Sequence, residues 1–126
     1  MSRNWWLAIQ ARYPSALEEC LQYYQKKYPS TWREELQDPS KLQQYFLRHH
    51  IEADTTKGWK PGGHRYGCIV KNERLQFERA LLFIDRERAL VDAIYFAFLI
   101  HEEAIVSKRL PPAPPKKYRR GRKPLK

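Results

Sequence analysis

The sequence predicts a mainly α fold, a small helical domain wrapped around a buried C-terminal helix and followed by an extended basic tail. Three observations carry this. Ala93 to Ile100 (AIYFAFLI) is an uncharged run, so a helix through it is apolar all round and must be covered on every side. Upstream, Tyr13-Pro14-Ser15, Tyr28-Pro29-Ser30 and Asp38-Pro39-Ser40 cut the first fifty residues into helix-length segments, because proline disfavours helix in the residue before it. Downstream, Pro111-Pro112-Ala113-Pro114-Pro115 ends the helical pattern and begins a polyproline spacer of about 3.1 Å per residue.

Trp5, Ala8 and Ile9 form a short apolar stripe that predicts a first helix near 4–12. Leu17, Cys20, Leu21, Tyr24 and Tyr28 share one helical face and predict a second over 15–27. Ser15 with Glu18 has the spacing of a capping box, and Thr31 with Glu34 repeats it ahead of a short helix over 31–37. From Asp38, the set Leu42, Tyr45, Phe46 and His49 predicts a fourth helix over 40–50. The likeness of RYPSALEE at 12–19 to KYPSTWREE at 27–35 is shared helix-start chemistry at a spacing too short for a solenoid repeat.

Residues 51–72 break the helical period. ADTTKGWKPGGHRYG reads as a basic, Gly-rich loop with a turn at Pro61-Gly62-Gly63, and Tyr66–Lys71 has strand character. Two readings compete for residues 72–84. In one, Asn72-Glu73-Arg74 closes a hairpin onto Leu75–Glu78, making the fold α+β through a hairpin over 64–83. In the other, Glu73–Ile84 is a helix with Phe77, Ala80, Leu81 and Ile84 inward. ERLQFERALLF is full of strong helix formers, and this decides for helix. Asp85 stands where it can cap the central helix over 86–107.

A chain of 126 residues supports one core, here residues 1–107, with 108–126 as spacer and tail. Hydrophobic content of 42% places the chain among folded proteins and not disordered ones. Cys20 and Cys68 lie far apart without metal or CxxC spacing, so reduced thiols are expected. The N-terminus has no signal-peptide pattern, and the eight-residue apolar run falls well short of the ~20 needed to span a bilayer. A soluble, cytoplasmic protein with no membrane partner is expected.

The net charge of +10 is unevenly placed. From Lys108 onward there are nine basic residues and no acidic one, which leaves residues 1–107 at a net +1. Lysines and arginines on a spacer neutralise phosphates and release counterions without reading sequence. The candidate nucleic-acid contacts there are Lys116, Lys117, Arg119, Arg120, Gly121, Arg122 and Lys123. Arg120-Gly121-Arg122-Lys123-Pro124 resembles the core of an AT-hook, with Lys123 inserted before the proline. The resemblance implies that Arg120, Gly121 and Arg122 lie along a narrow A·T minor groove, whose enhanced negative potential attracts arginine. A second candidate is the loop from Lys57 to Arg74, where Lys57, Lys60, Arg65 and Lys71 alternate with Trp59, His64 and Tyr66. Cations beside aromatic faces are what backbone tracking and base stacking require.

Catalytic patterns fail in turn. His101-Glu102-Glu103-Ala104-Ile105 has isoleucine where HExxH needs its second histidine. His50-Ile51-Glu52 lacks the Pro-Cys-x-x-Cys of zinc deaminases, and there is no P-loop, GxGxxG or GxSxG. No enzyme activity, cofactor or metal is expected, and His101 and His49 are read as core histidines. Trp6, off the Trp5 stripe, would mark a partner surface if exposed. The expected function is a non-catalytic nucleic-acid-binding adaptor or regulatory protein, with DNA favoured. Its helical body would contact a protein partner or a second copy. The alternative is an assembly component whose tail threads into a neighbouring subunit.

Overall fold

The structure, a computed structural model, describes residues 3–109, so every tail contact from Lys116 to Lys123 lies outside the described residues. Five helices and three strands follow one another: α1 (Arg3–Arg12), α2 (Pro14–Lys27), α3 (Trp32–Glu35), α4 (Pro39–Arg48), β1 (Glu52–Lys60), β2 (Gly63–Lys71), β3 (Gln76–Phe83) and α5 (Arg86–Arg109). The strands form one antiparallel sheet in the order β1-β2-β3.

The fold is therefore α+β, and the mainly α expectation is overturned. The helix expected over Glu73–Ile84 is strand β3. The segment read as a basic, Gly-rich loop is β1, the turn and the start of β2. Helix propensity differs between ordinary residues by only a few tenths of a kcal/mol each, and pairing with β2 outweighs it. The four N-terminal helices fall where the proline spacing puts them, but they start differently. Tyr13 is the N-cap of α2 and Pro14 its first residue, displacing the Ser15–Glu18 box. The Ala16 N–H donates instead to Glu102 Oε1 of α5 at 2.8 Å, so a distant carboxylate satisfies a first-turn donor. Asp38 caps α4 by accepting from the Ser40 N–H at 2.9 Å, and Asp85 accepts from the Glu87 N–H at 3.2 Å to cap α5.

Helix α5 lies between the sheet on one side and α2 and α4 on the other. Ala93, Ile94, Ala97, Phe98 and Ile100 are buried, and Tyr95, Phe96 and Leu99 pack against the same core. Phe96 stacks on Phe77 of β3 with ring centroids 5.4 Å apart. Phe98, on the opposite face, meets Phe46 at 4.9 Å, Trp5 at 6.0 Å and Trp6 at 6.1 Å. Trp6 is thus half-buried against the core and is not an exposed partner surface. Cys20 and Cys68 are buried free thiols, and burial pushes the Cys68 thiol up to about 12, which keeps it an unreactive core group.

One distortion shapes the outer face of the sheet. Between the rungs Cys68–Arg79 and Tyr66–Phe83, β2 advances two residues while β3 advances four. The extra length arches over Gly67, whose missing side chain makes room for it. A Cβ at Gly67 would meet the Arg79 carbonyl oxygen and lie 2.6 Å from that of Ala80. Leu81, at the crest, reaches across to Gly58 of β1. Because the obstacle at Gly67 is backbone, Gly67→Ala is expected to lower stability by about 1–3 kcal/mol in urea unfolding. Gly58→Ala meets only the end of a side chain and should cost less.

Candidate nucleic-acid interface

Pro61 fixes its own φ, and Gly62 and Gly63 take φ of 95° and 124°, which only glycine adopts freely. The Pro-Gly order reverses the chain tightly and sets the register Lys60↔Gly63, Trp59↔His64, Gly58↔Arg65 and Lys57↔Tyr66. The last rung of β3 is Phe83 against Tyr66, so residues 58–65 run past the third strand as a two-stranded ribbon. Sequence alone placed these residues in a loop. The structure holds them on a ladder, a stiffer platform.

Strand alternation divides the candidates between two faces. Lys57, Trp59, His64 and Tyr66 share the face of the buried Ala53, Cys68 and Val70. Lys60, Arg65 and Lys71 share the other. Trp59 is 73% exposed and meets His64 edge-on at 4.7 Å. Lys57 and Lys60 are exposed, while Tyr66 and Arg65 are half-buried. The Arg65 guanidinium folds back over the turn, where Nη1 donates to the His64 carbonyl at 2.9 Å and Nη2 lies 3.6 Å from where a Gly62 Cβ would be. From Thr55 to Asn72 there is no acidic residue, so the ribbon is uniformly cationic. The tip therefore gathers Lys57, Trp59, Lys60, Arg65 and Tyr66. Lys71 is not with them: it pairs with Glu52, and six residues of strand put it about 20 Å from Arg65.

A second polar constellation sits near the C-terminal end of α5. His101 is 4% exposed, and its Nε2 shares a 3.1 Å hydrogen bond with the Tyr45 hydroxyl. Its ring centroid lies 4.6 Å from that of His49, and Nε2 is 3.9 Å from Glu19 Oε1. Burial first, then the nearby His49 and Lys108, lower the His101 pKa from 6.5 to about 4. The Glu19 carboxylate pulls the other way, but its side chain is 43% exposed and water screens it, so desolvation wins. This is a hydrogen-bonded core histidine. His49, exposed at the C-cap of α4, is not in the core as the stripe suggested. Among the described residues no group of three or more His, Cys, Asp or Glu is placed to hold a metal ion.

The sequence reading missed one cationic, aromatic surface. In the run YYQKKY at 23–28, Lys27 Nζ sits 5.6 Å from the Tyr23 ring and 5.5 Å from the Tyr28 ring. Arg48 of α4 covers Tyr23 at 5.5 Å, and Lys41 covers Tyr28 at 5.7 Å while also pairing with Glu35. These cations already rest on ring faces inside the fold, unlike those of the ribbon. The signal was the alternation of tyrosine and lysine, read only as a helix stripe.

Among the described residues no helix is long and apolar enough to cross a membrane. No protein-family model, curated protein or solved structure matches the chain.

Proposed function

We propose that this protein is a non-catalytic nucleic-acid-binding module, with DNA the favoured ligand, that grips its ligand with the β1–β2 ribbon. The observation that carries this is the register. It puts three cations and a 73%-exposed tryptophan on a two-stranded ribbon free of acidic residues and projecting past the third strand. A major groove admits a two-stranded ribbon, and β-ribbon proteins use strands in this way. Lys57, Lys60 and Arg65 hold phosphates from the two faces of the ribbon, while Trp59 offers a ring for sugar or base contact. The AT-hook-like tail supplies a second, tethered attachment through Arg120, Gly121 and Arg122. The glycine-rich outer face of the sheet is not the docking surface, because the β3 arch covers Gly67 and Leu81 covers Gly58.

The test is fluorescence anisotropy with the full chain on duplex and single-stranded DNA. Trp59→Ala is expected to weaken binding by about 1–3 kcal/mol, roughly 5- to 150-fold, with unfolding unchanged because the ring is mostly in water. Lys27→Ala with Arg48→Ala, on the helical surface, should leave binding in place. Unchanged affinity in Trp59→Ala together with loss in the helical variant would move the site to α2 and α4. No binding by the full chain at physiological salt would favour the alternative reading, a component of a larger assembly.

A further inference from the structure

Between α2 and α4 lies an open pocket of about 240 Å³. Tyr23, Tyr24, Tyr28 and Tyr45 wall it, Lys27, Lys41 and Arg48 border it, and among the described residues no carboxylate lines it. Ring faces hold the cations in place: Lys27 Nζ lies over Tyr23 and Tyr28, and the Arg48 guanidinium lies over Tyr23. Such contacts position a cation without neutralising it. Lys41 differs, because Glu35 pairs with it. Lys27 and Arg48 have no carboxylate partner among the described residues, so two positive charges stand uncompensated at the pocket. Lys27 gives one N–H to the Tyr23 hydroxyl at 3.2 Å and keeps two others.

A buried donor points to the same place. Tyr24 is 2% exposed, and its hydroxyl has no hydrogen-bond partner among the described residues. That hydroxyl is not sealed in, because among the described residues the one sealed side-chain polar atom without a partner is Trp6 Nε1. It therefore opens on the pocket that Tyr24 lines. The neighbouring Tyr45 has spent its own hydroxyl on His101. Burial, then the nearby Cys20, Tyr28, Tyr23 and Asp38, raises the Tyr24 pKa, so this hydroxyl stays protonated and remains a donor. A donor on so buried a side chain is costly to leave unpaired, and the pocket's occupant can accept from it.

These features select the occupant. Two uncompensated cations match a doubly charged anion. The planar fork of Arg48 with the separate donors of Lys27 and Tyr24 suits a tetrahedral oxyanion better than a planar monocarboxylate. The volume falls below the roughly 300–1,000 Å³ of pockets that take drug-sized ligands. A nucleobase is disfavoured, since cations already cover the Tyr23 and Tyr28 rings on which it would stack. We propose that this pocket binds a phosphate group, free or as a small monoester, held by Lys27, Arg48 and the Tyr24 hydroxyl. The proposal does not rest on the DNA reading, because the ribbon takes no part in this pocket.

An NMR titration of the full chain with inorganic phosphate, at fixed ionic strength and without nucleic acid, tests it. At about pH 7.5 the phosphate is largely dianionic. Saturable shifts are expected in the backbone amides of residues 23–28 and 41–48, and acetate at equal concentration should give none. Tyr24→Phe should weaken phosphate binding about ten-fold or more, the loss expected for a hydrogen bond to a charged group. Its unfolding midpoint should not fall, because that hydroxyl bonds nothing within the described fold. Arg48→Gln should weaken phosphate binding at least as much. A parallel titration with glycerol phosphate separates the two sources: tighter binding than inorganic phosphate assigns a monoester, and equal or weaker binding assigns the free ion. Shifts that do not saturate, shifts spread over all exposed cations, or acetate acting as phosphate does would overturn the proposal. So would a Tyr24→Phe chain that binds phosphate as well as the wild type. Failure of the full chain to bind DNA would leave these outcomes unchanged, so the two proposals fail separately.

Discussion

Phe98→Ala is expected to lower the free energy of unfolding by about 3–5 kcal/mol, a large share of the stability of the whole domain. The ring is wholly buried where α1 and α4 meet α5. Trp5 and Trp6 of α1 approach it from one side and Phe46 of α4 from another. Removing it takes away edge-to-face contacts as well as buried area, and α5 is held too firmly between sheet and helices to collapse into the gap. A domain of this size is stable by about 5–15 kcal/mol, so the variant should be partly unfolded well below the wild-type midpoint. Leu47→Ala on α4 is the comparison: at 59% exposure it should change stability by about 0.5 kcal/mol or less. Urea titrations followed by tryptophan fluorescence and by circular dichroism check both.

The second large effect is on acid stability. In the folded chain His101 holds its proton only below about pH 4, whereas in the unfolded chain it does so below 6.5. The unfolded state therefore binds the proton first. Stability is full above pH 6.5 and is lost as the pH falls from 6.5 toward 4, by about 3 kcal/mol in total. His49, Lys108, Glu19 and the Tyr45 hydroxyl face the imidazole, and of these only Glu19 favours its charged form. His101→Gln keeps a polar partner for Tyr45 and removes the titration. Its stability should fall less steeply over this interval, and equal slopes in variant and wild type would show that another group controls the acid transition.

Much of the helical half of the fold was legible because α2, α4 and α5 each announce themselves twice, by a proline or acidic start and by an apolar stripe or run. Pro14, Pro39, Asp38 and Asp85 stand at helix starts in the structure, and the stripe Leu17, Cys20, Tyr24 is buried. The sheet was not legible, for reasons visible in single residues. In β1 only Ala53 is buried, and the outer positions Glu52, Asp54 and Lys60 are polar, so no strong alternation marks the strand. In β3 the inward position after Phe77 is Arg79, a charge admitted because Asp92 of α5 pairs with it at 2.9 Å. That partner is thirteen residues away, beyond the reach of a local pattern. Without the strand register, Lys71 looked equivalent to Lys60. With it, one lies at the tip and the other opposite Glu52.

The central claim is that the ribbon cations hold phosphates, and the dependence of binding on salt measures this most directly. Three full-length proteins suffice: the wild-type chain, one with Lys57, Lys60 and Arg65 changed to Ala, and one with Arg119, Arg120, Arg122 and Lys123 changed to Gln. For the wild-type chain a log–log slope of roughly −5 to −8 is expected on duplex DNA. Removing the three ribbon cations should make it shallower by about 2–3 and weaken binding across all sequences. Neutralising the tail should lower affinity most on A·T-rich duplexes, while the ribbon's share of the slope remains. A slope unchanged by loss of Lys57, Lys60 and Arg65 would contradict the claim and leave the tail as the sole attachment.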